Sequence, residues 1–145
     1  MSKKDRHPLT PEELEQRIQK ATGLDDIARL RIVEPFYTPD FKRAILTPGI
    51  WLYLIDCITD NCYYVGTTWR IGNRLEEHYF SVGGSHFTTA FGVKAMRPIE
   101  VFGNSGEARE AETALALELR NEGYICQGGK YTSVRELEQF KHLAL

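Results

Sequence analysis

An α+β fold, built on a small, mostly antiparallel three-stranded sheet flanked by helices, follows from three features of the 145-residue sequence. Residues 50–55 (Ile-Trp-Leu-Tyr-Leu-Ile) and 62–67 (Cys-Tyr-Tyr-Val-Gly-Thr) are rich in β-branched and aromatic side chains, and Thr59-Asp60-Asn61 between them is turn chemistry, so the two read as a hairpin. Apolar residues recur at helical spacing on both sides of that hairpin. A third short strand, 99–102 (Ile-Glu-Val-Phe), follows Pro98.

Taken in order, residues 1–8 form a polar leader (Lys3, Lys4, Arg6, His7) expected to be mobile. Thr10-Pro11-Glu12-Glu13 reads as a helix start, with Thr as cap, Pro at the first helical position and Glu13 closing a capping box. Leu14, Ile18 and Ala21 make its apolar stripe and Gly23 its stop. A second helix begins at Asp25 with Ile27 and Leu30 inward, and Thr38-Pro39-Asp40 opens a third holding Phe41 and Ile45. Pro48-Gly49 is a turn and a boundary, which makes residues 1–48 a helical N-terminal extension. Beyond the hairpin, 71–80 is helical in pattern, 82–85 (Val-Gly-Gly-Ser) is a loop, and a small helix precedes the third strand. Ser105 caps a long helix over 107–121 with Ala108, Leu115 and Leu119 inward, and Gly123 ends it. Ser133-Val134-Arg135-Glu136 is a second capping box, opening a C-terminal helix over 132–145 with Leu137 and Phe140 inward.

Composition narrows the class. Hydrophobic residues are 42% and charged residues 26%, an ordinary globular balance. No apolar run approaches the roughly 18 residues that span a bilayer, and the N-terminus lacks the apolar centre of a signal peptide, so no membrane partner and a cytoplasmic location are expected. Cys57, Cys62 and Cys126 are too few for a disulfide framework and lack the paired spacing of a zinc site. Net charge is −2, whereas proteins that hold nucleic acid by bulk electrostatics carry a basic surplus. The acidity is localised. Residues 1–48 carry nine basic and eight acidic side chains, 49–131 carry seven and ten, and 132–145 carry two of each.

The chemistry-bearing residues fall at fixed intervals. Tyr53 and Tyr64 lie on opposite strands of the hairpin, and with an even-numbered turn both phenols point to one face. Arg74 and His78, four apart, share a helix face. Glu112 sits on an otherwise apolar inward stripe, where a carboxylate needs a partner and a cation is one choice. Singly, the tyrosines also read as strand aromatics, Arg74 and His78 as a solvated face, and Glu112 as a partner for Arg109, while His86 reads as a loop residue without a role. Together they suit metal-assisted phosphodiester hydrolysis.

On these residues the sequence resembles the GIY-YIG endonuclease superfamily. Trp51-Leu52-Tyr53 stands for the first half of the signature and Tyr64-Val65-Gly66 for the second. Arg74, His78 and Glu112 follow at the family's distances, over a core of about residues 49–131. Trp51-Leu52 replaces the usual Gly-Ile. The position of an Asn found in many members is Ile125, with Gln127 two residues on as the expected substitute.

The resemblance implies a DNA endonuclease that uses a single Mg²⁺ or Mn²⁺ and nicks one strand per active site. Glu112 would hold the ion. Tyr64 would position or deprotonate the attacking water, its phenol lowered by Arg74 or the metal, with Tyr53 in support. Arg74 would hold the scissile phosphate, and His78 would bond within this network or relay a proton. Gly66, Thr68, Arg70 and Gln127 are expected at the substrate. The acidic core points away from a self-sufficient DNA binder, so targeting falls to residues 1–48, a homodimer or a partner protein. The other reading is a module of this type that binds nucleic acid or protein without cutting.

Overall fold

The computed structural model describes residues 9–144; the polar leader 1–8 lies outside them. Strands β1 (Ile50–Asp56) and β2 (Cys62–Thr68) form the expected antiparallel hairpin. Its turn places Asn61 at φ 61°, a left-handed position that Asn tolerates. β3 (Ala95–Phe102) pairs antiparallel with the other side of β1 and starts four residues earlier than the sequence suggests. Pro98, read as a boundary, sits inside it. β3 is an edge strand, and its register shifts beside Leu52/Tyr53, where a residue without an N–H is tolerated.

The sheet has a fourth strand, β4 (Ile125–Gly128), parallel to β2, which gives the order β3-β1-β2-β4. Three strands expected become four because Ile-Cys-Gln-Gly is too short to show a strand period. Its pairing is created by the crossover helix that returns the chain beside β2.

Among the described residues, seven α-helices surround the sheet. α1 (Pro11–Thr22) has the complete Thr10/Glu13 capping box and ends on Gly23 at φ 77°. Leu14 and Ile18 are buried, but Ala21 is exposed. α2 (Asp26–Val33), capped by Asp25, is rotated from expectation: Ile27 and Leu30 are exposed, whereas Arg29 and Val33 face in. After a 3₁₀ turn (Glu34–Phe36), α3 (Pro39–Leu46) buries Phe41 and Ala44 and leaves Ile45 half exposed. α4 (Ile71–Tyr79) and α5 (His86–Phe91) precede β3. α6 (Ser105–Asn121) is capped by Asn104 rather than Ser105. α7 (Val134–Ala144) starts behind Ser133, whose Oγ accepts from Glu136 N–H; the Glu136 carboxylate turns to Arg120 instead of closing the box.

Alternation along β1 divides the core. Leu52 and Leu54 meet Val65, Cys126 and Ala116 on the α6 side. Tyr53 and Ile55 face Leu75, Phe87, Phe91 and Leu137, in a cluster that also contains Val33, Phe41 and Ala44 of the extension. Extension, sheet and C-terminal helix thus share one core. The three cysteines are buried and free, and burial pushes the Cys126 thiol up to about 12. Among the described residues no helix is long and apolar enough to cross a membrane.

Candidate active site

The hairpin register sets Tyr53 opposite Gly66 and Tyr64 opposite Ile55, so both phenols occupy the face covered by α4 and α5. Glycine at 66 is required by the packing: a Cβ there would stand 2.2 Å from Tyr53 Oη, so the phenol lies across β2 where a side chain would be.

α4 brings Arg74 and His78 onto this face. Arg74 Nε donates to Tyr53 Oη at 3.3 Å, and its Nη1 donates to Glu77 at 2.7 Å and to the Gly83 carbonyl at 2.8 Å. His78 Nε2 lies 2.8 Å from Tyr53 Oη, and Nδ1 lies 2.8 Å from Thr88 Oγ1. One proton arrangement satisfies all of these groups. With Tyr53 Oη accepting from Arg74, its own O–H donates to His78 Nε2. The imidazole then carries its proton on Nδ1 and donates to Thr88, whose hydroxyl donates to the Ser85 carbonyl at 3.2 Å. His78 is therefore a neutral strut behind Tyr53.

Burial dominates the titration of the cluster. It raises the Tyr53 and Tyr64 phenols, with Arg74 pulling both part of the way back and Glu112 opposing that pull. The expected lowering of Tyr64 by Arg74 is not met, because desolvation of the phenolate outweighs one cation. Burial and then the neighbouring Arg74 hold His78 well below the usual imidazole range. An unfolded chain protonates this histidine below about pH 6.5, while the folded chain does not. Stability is therefore complete above that pH and falls on acidification, by up to about 1.4 kcal/mol per pH unit until the folded-state value is reached. Urea titrations between pH 7 and 5 are expected to show this loss, and His78→Gln to flatten it. An equal slope in the variant would reject the neutral strut.

Tyr53, Tyr64, Gly66, Arg74, Glu112 and Gln127 line one cleft of about 470 Å³. His78 stands behind it, fully buried. Thr68 and Arg70 lie apart: Thr68 Oγ1 accepts from Arg70 N–H, while the Arg70 guanidinium donates to the Leu9 carbonyl and packs over the Trp69 ring. Gln127, opposite Tyr64 in the parallel ladder, donates to the Ser133 carbonyl. Ile125, at the usual Asn position, packs into the core from the far end of β4.

Several lining residues escaped the sequence. Thr67, Ser85, His86 and Thr132 join the cleft, and Thr88 and Glu77 brace it from behind. The Ser85 signal was available: its Oγ caps α5, accepting from Thr88 N–H, and that fixes Thr88 under His78.

For a cation, the donor set is one carboxylate, Glu112, beside phenol oxygens and open space. No group of three His, Cys, Asp or Glu gathers for a metal among the described residues. Such a set fits a hard ion that keeps most of its waters, as Mg²⁺ or Mn²⁺ does, rather than a zinc-type centre.

Comparison with protein families matches residues 49–125 to the GIY-YIG catalytic domain, whereas comparisons with curated proteins and with solved structures return no match. That span begins at the turn before β1, ends at the first residue of β4, and contains both tyrosines, Arg74, His78 and Glu112. The chain belongs to the GIY-YIG family, and most of the cleft's lining, including Tyr53, Tyr64, Arg74 and Glu112, lies in its catalytic domain, the domain of a nuclease.

Proposed function

We propose that the chain is a divalent-metal-dependent DNA endonuclease that hydrolyses phosphodiester bonds and nicks one strand per active site. The observation that carries this reading is the convergence of Tyr64, Arg74 and Glu112 on a single open cleft, with Tyr53 locking Arg74 in place.

Glu112 is the residue that would hold Mg²⁺ or Mn²⁺, and the ion when bound supplies Lewis acidity at the phosphate. Arg74 presents a guanidinium whose Nε and Nη1 are fixed by Tyr53, Glu77 and Gly83, so it meets a phosphate oxygen without reorganising. Tyr64 lines the cleft beside Arg74 and Glu112 and would position the attacking water or take its proton; burial raises its phenol and Arg74 pulls it part of the way back. Tyr53 and His78 act through Arg74 as positioning residues. Gln127 serves at the Tyr64 side of the cleft in place of the missing Asn. Thr68 and Arg70 are not assigned to substrate, since both are engaged at the Leu9–Trp69 side.

Supercoiled plasmid incubated with Mg²⁺ or Mn²⁺ is expected to convert to the open-circular form, with conversion abolished by EDTA. A chain that binds DNA or a protein but never cuts would establish the second reading, a binding module. That reading draws support from Glu77, whose carboxylate offsets the Arg74 charge. Conversion that continues in excess EDTA would sink the metal-dependent mechanism.

A further inference from the structure

The cleft does not end at Thr132. That residue is also part of the wall of a second groove, of about 350 Å³, between the β4–α7 connection and the first turns of α7. Apart from Arg120, the residues of this groove lie beyond the span matched by the family, and its charges are distributed unevenly. Arg120 forms a two-pronged ion pair with Glu136, one prong at 2.9 Å, and stacks over the Tyr131 ring at 4.4 Å, so these two opposite charges cancel within the wall. Lys130 and Arg135 remain. Both are exposed, and neither makes an ion pair among the described residues.

The backbone that presents them is held rigidly. Gly128 and Tyr131 exchange two hydrogen bonds of 2.9 and 2.8 Å across the turn. Lys130 N–H donates to Thr113 Oγ1 at 3.3 Å, and a Cβ on Gly129 would stand 2.4 Å from the same oxygen, so the turn is seated on α6 one residue from Glu112. Gln127 ties the start of α7 down through the Ser133 carbonyl. Ordering these groups on binding therefore costs little further entropy.

We propose that this groove is the exit path of the DNA strand, with Lys130 and Arg135 taking successive phosphates of the backbone that leaves the cleft past Thr132. The proposal rests on the nuclease reading for its ligand. It also answers the charge of the domain: residues 49–131 carry ten acidic against seven basic side chains, so backbone contact is favoured where basic charge stands uncancelled beside the cleft.

The test is fluorescence anisotropy of the full chain with a labelled DNA duplex in EDTA, where no cutting occurs. Lys130→Ala/Arg135→Ala is expected to weaken binding roughly tenfold or more, and to reduce the slope of log K against log salt by about 2. Lys130→Arg/Arg135→Lys should retain both values, and Arg17→Ala/Lys20→Ala on α1 should change neither. Wild-type affinity and slope in the first variant, equal loss in the α1 control, or no DNA binding by the wild type would each overturn the groove. Plasmid nicking reports separately. Cutting with unchanged binding in the variant removes the groove and keeps the nuclease, whereas binding that depends on Lys130 and Arg135 without any cutting keeps the groove and removes the nuclease.

Discussion

Arg74→Ala is expected to lower the rate of plasmid nicking by about a thousandfold or more, the scale on which fixed cationic donors act in phosphoryl transfer. The size follows from what the guanidinium does in the free protein. Its Nε bonds Tyr53, its Nη1 bonds Glu77 and Gly83, and among the described residues it is the one Lys or Arg that lines the cleft beside the tyrosines and Glu112. Arg74→Lys keeps the charge but cannot span Tyr53, Glu77 and Gly83 with one ammonium, so it should recover only a minor part of the rate. Because the Glu77 side chain is nearly buried, alanine at 74 also leaves a carboxylate without its cation. Thermal unfolding must therefore accompany the kinetics. A loss of rate in Arg74→Lys, at a melting temperature close to wild type, assigns the effect to the site. A change in rate below tenfold for either variant would remove Arg74 from the mechanism.

The sequence made most of this site legible because its residues sit on regular elements. Strand parity carried Tyr53 and Tyr64 to one face of the sheet, and helical spacing put Arg74 and His78 on the side of α4 that meets it. The capping signals at Thr10, Asp25 and Thr38 correctly opened three helices. What stayed hidden depended on tertiary partners. β4 is four residues long and is a strand only because α6 returns it beside β2. Thr88 matters only because the loop at 82–85 folds it under His78. Thr68 and Arg70 follow the signature strand and look like substrate contacts, but the path of Leu9 occupies Arg70. Tyr64 illustrates the same limit for electrostatics: one adjacent arginine suggests a lowered phenol, and only the extent of burial shows the opposite direction.

Arg29 is the sharpest case, since a helix with Ile27 and Leu30 available turns them to solvent and buries an arginine. The reason lies on α4. Arg29 Nη1 pairs with Glu76, and both residues are almost fully buried, so α2 is clamped directly to the helix that carries Arg74 and His78. Arg29→Ala is expected to cost about 3–5 kcal/mol in urea unfolding, because the Glu76 carboxylate is left buried without its cation. Glu76→Ala should cost less. Arg29 Nη2 already lies 3.4 Å from Glu15 and 3.6 Å from Asp26, so the cation has carboxylates to fall back on. Arg29→Met/Glu76→Met removes both charges from an interior that leaves Arg29 Nε without a hydrogen-bond partner among the described residues, and should recover most of the stability. If the pair clamps α4, the double variant also restores nicking lost in Arg29→Ala, since apolar packing fixes the helix as well as the ion pair does. An Arg29→Ala chain less than about 1 kcal/mol below wild type would show that the contact is a surface-like pair of the weak kind. It would also show that the extension does not hold the catalytic helix.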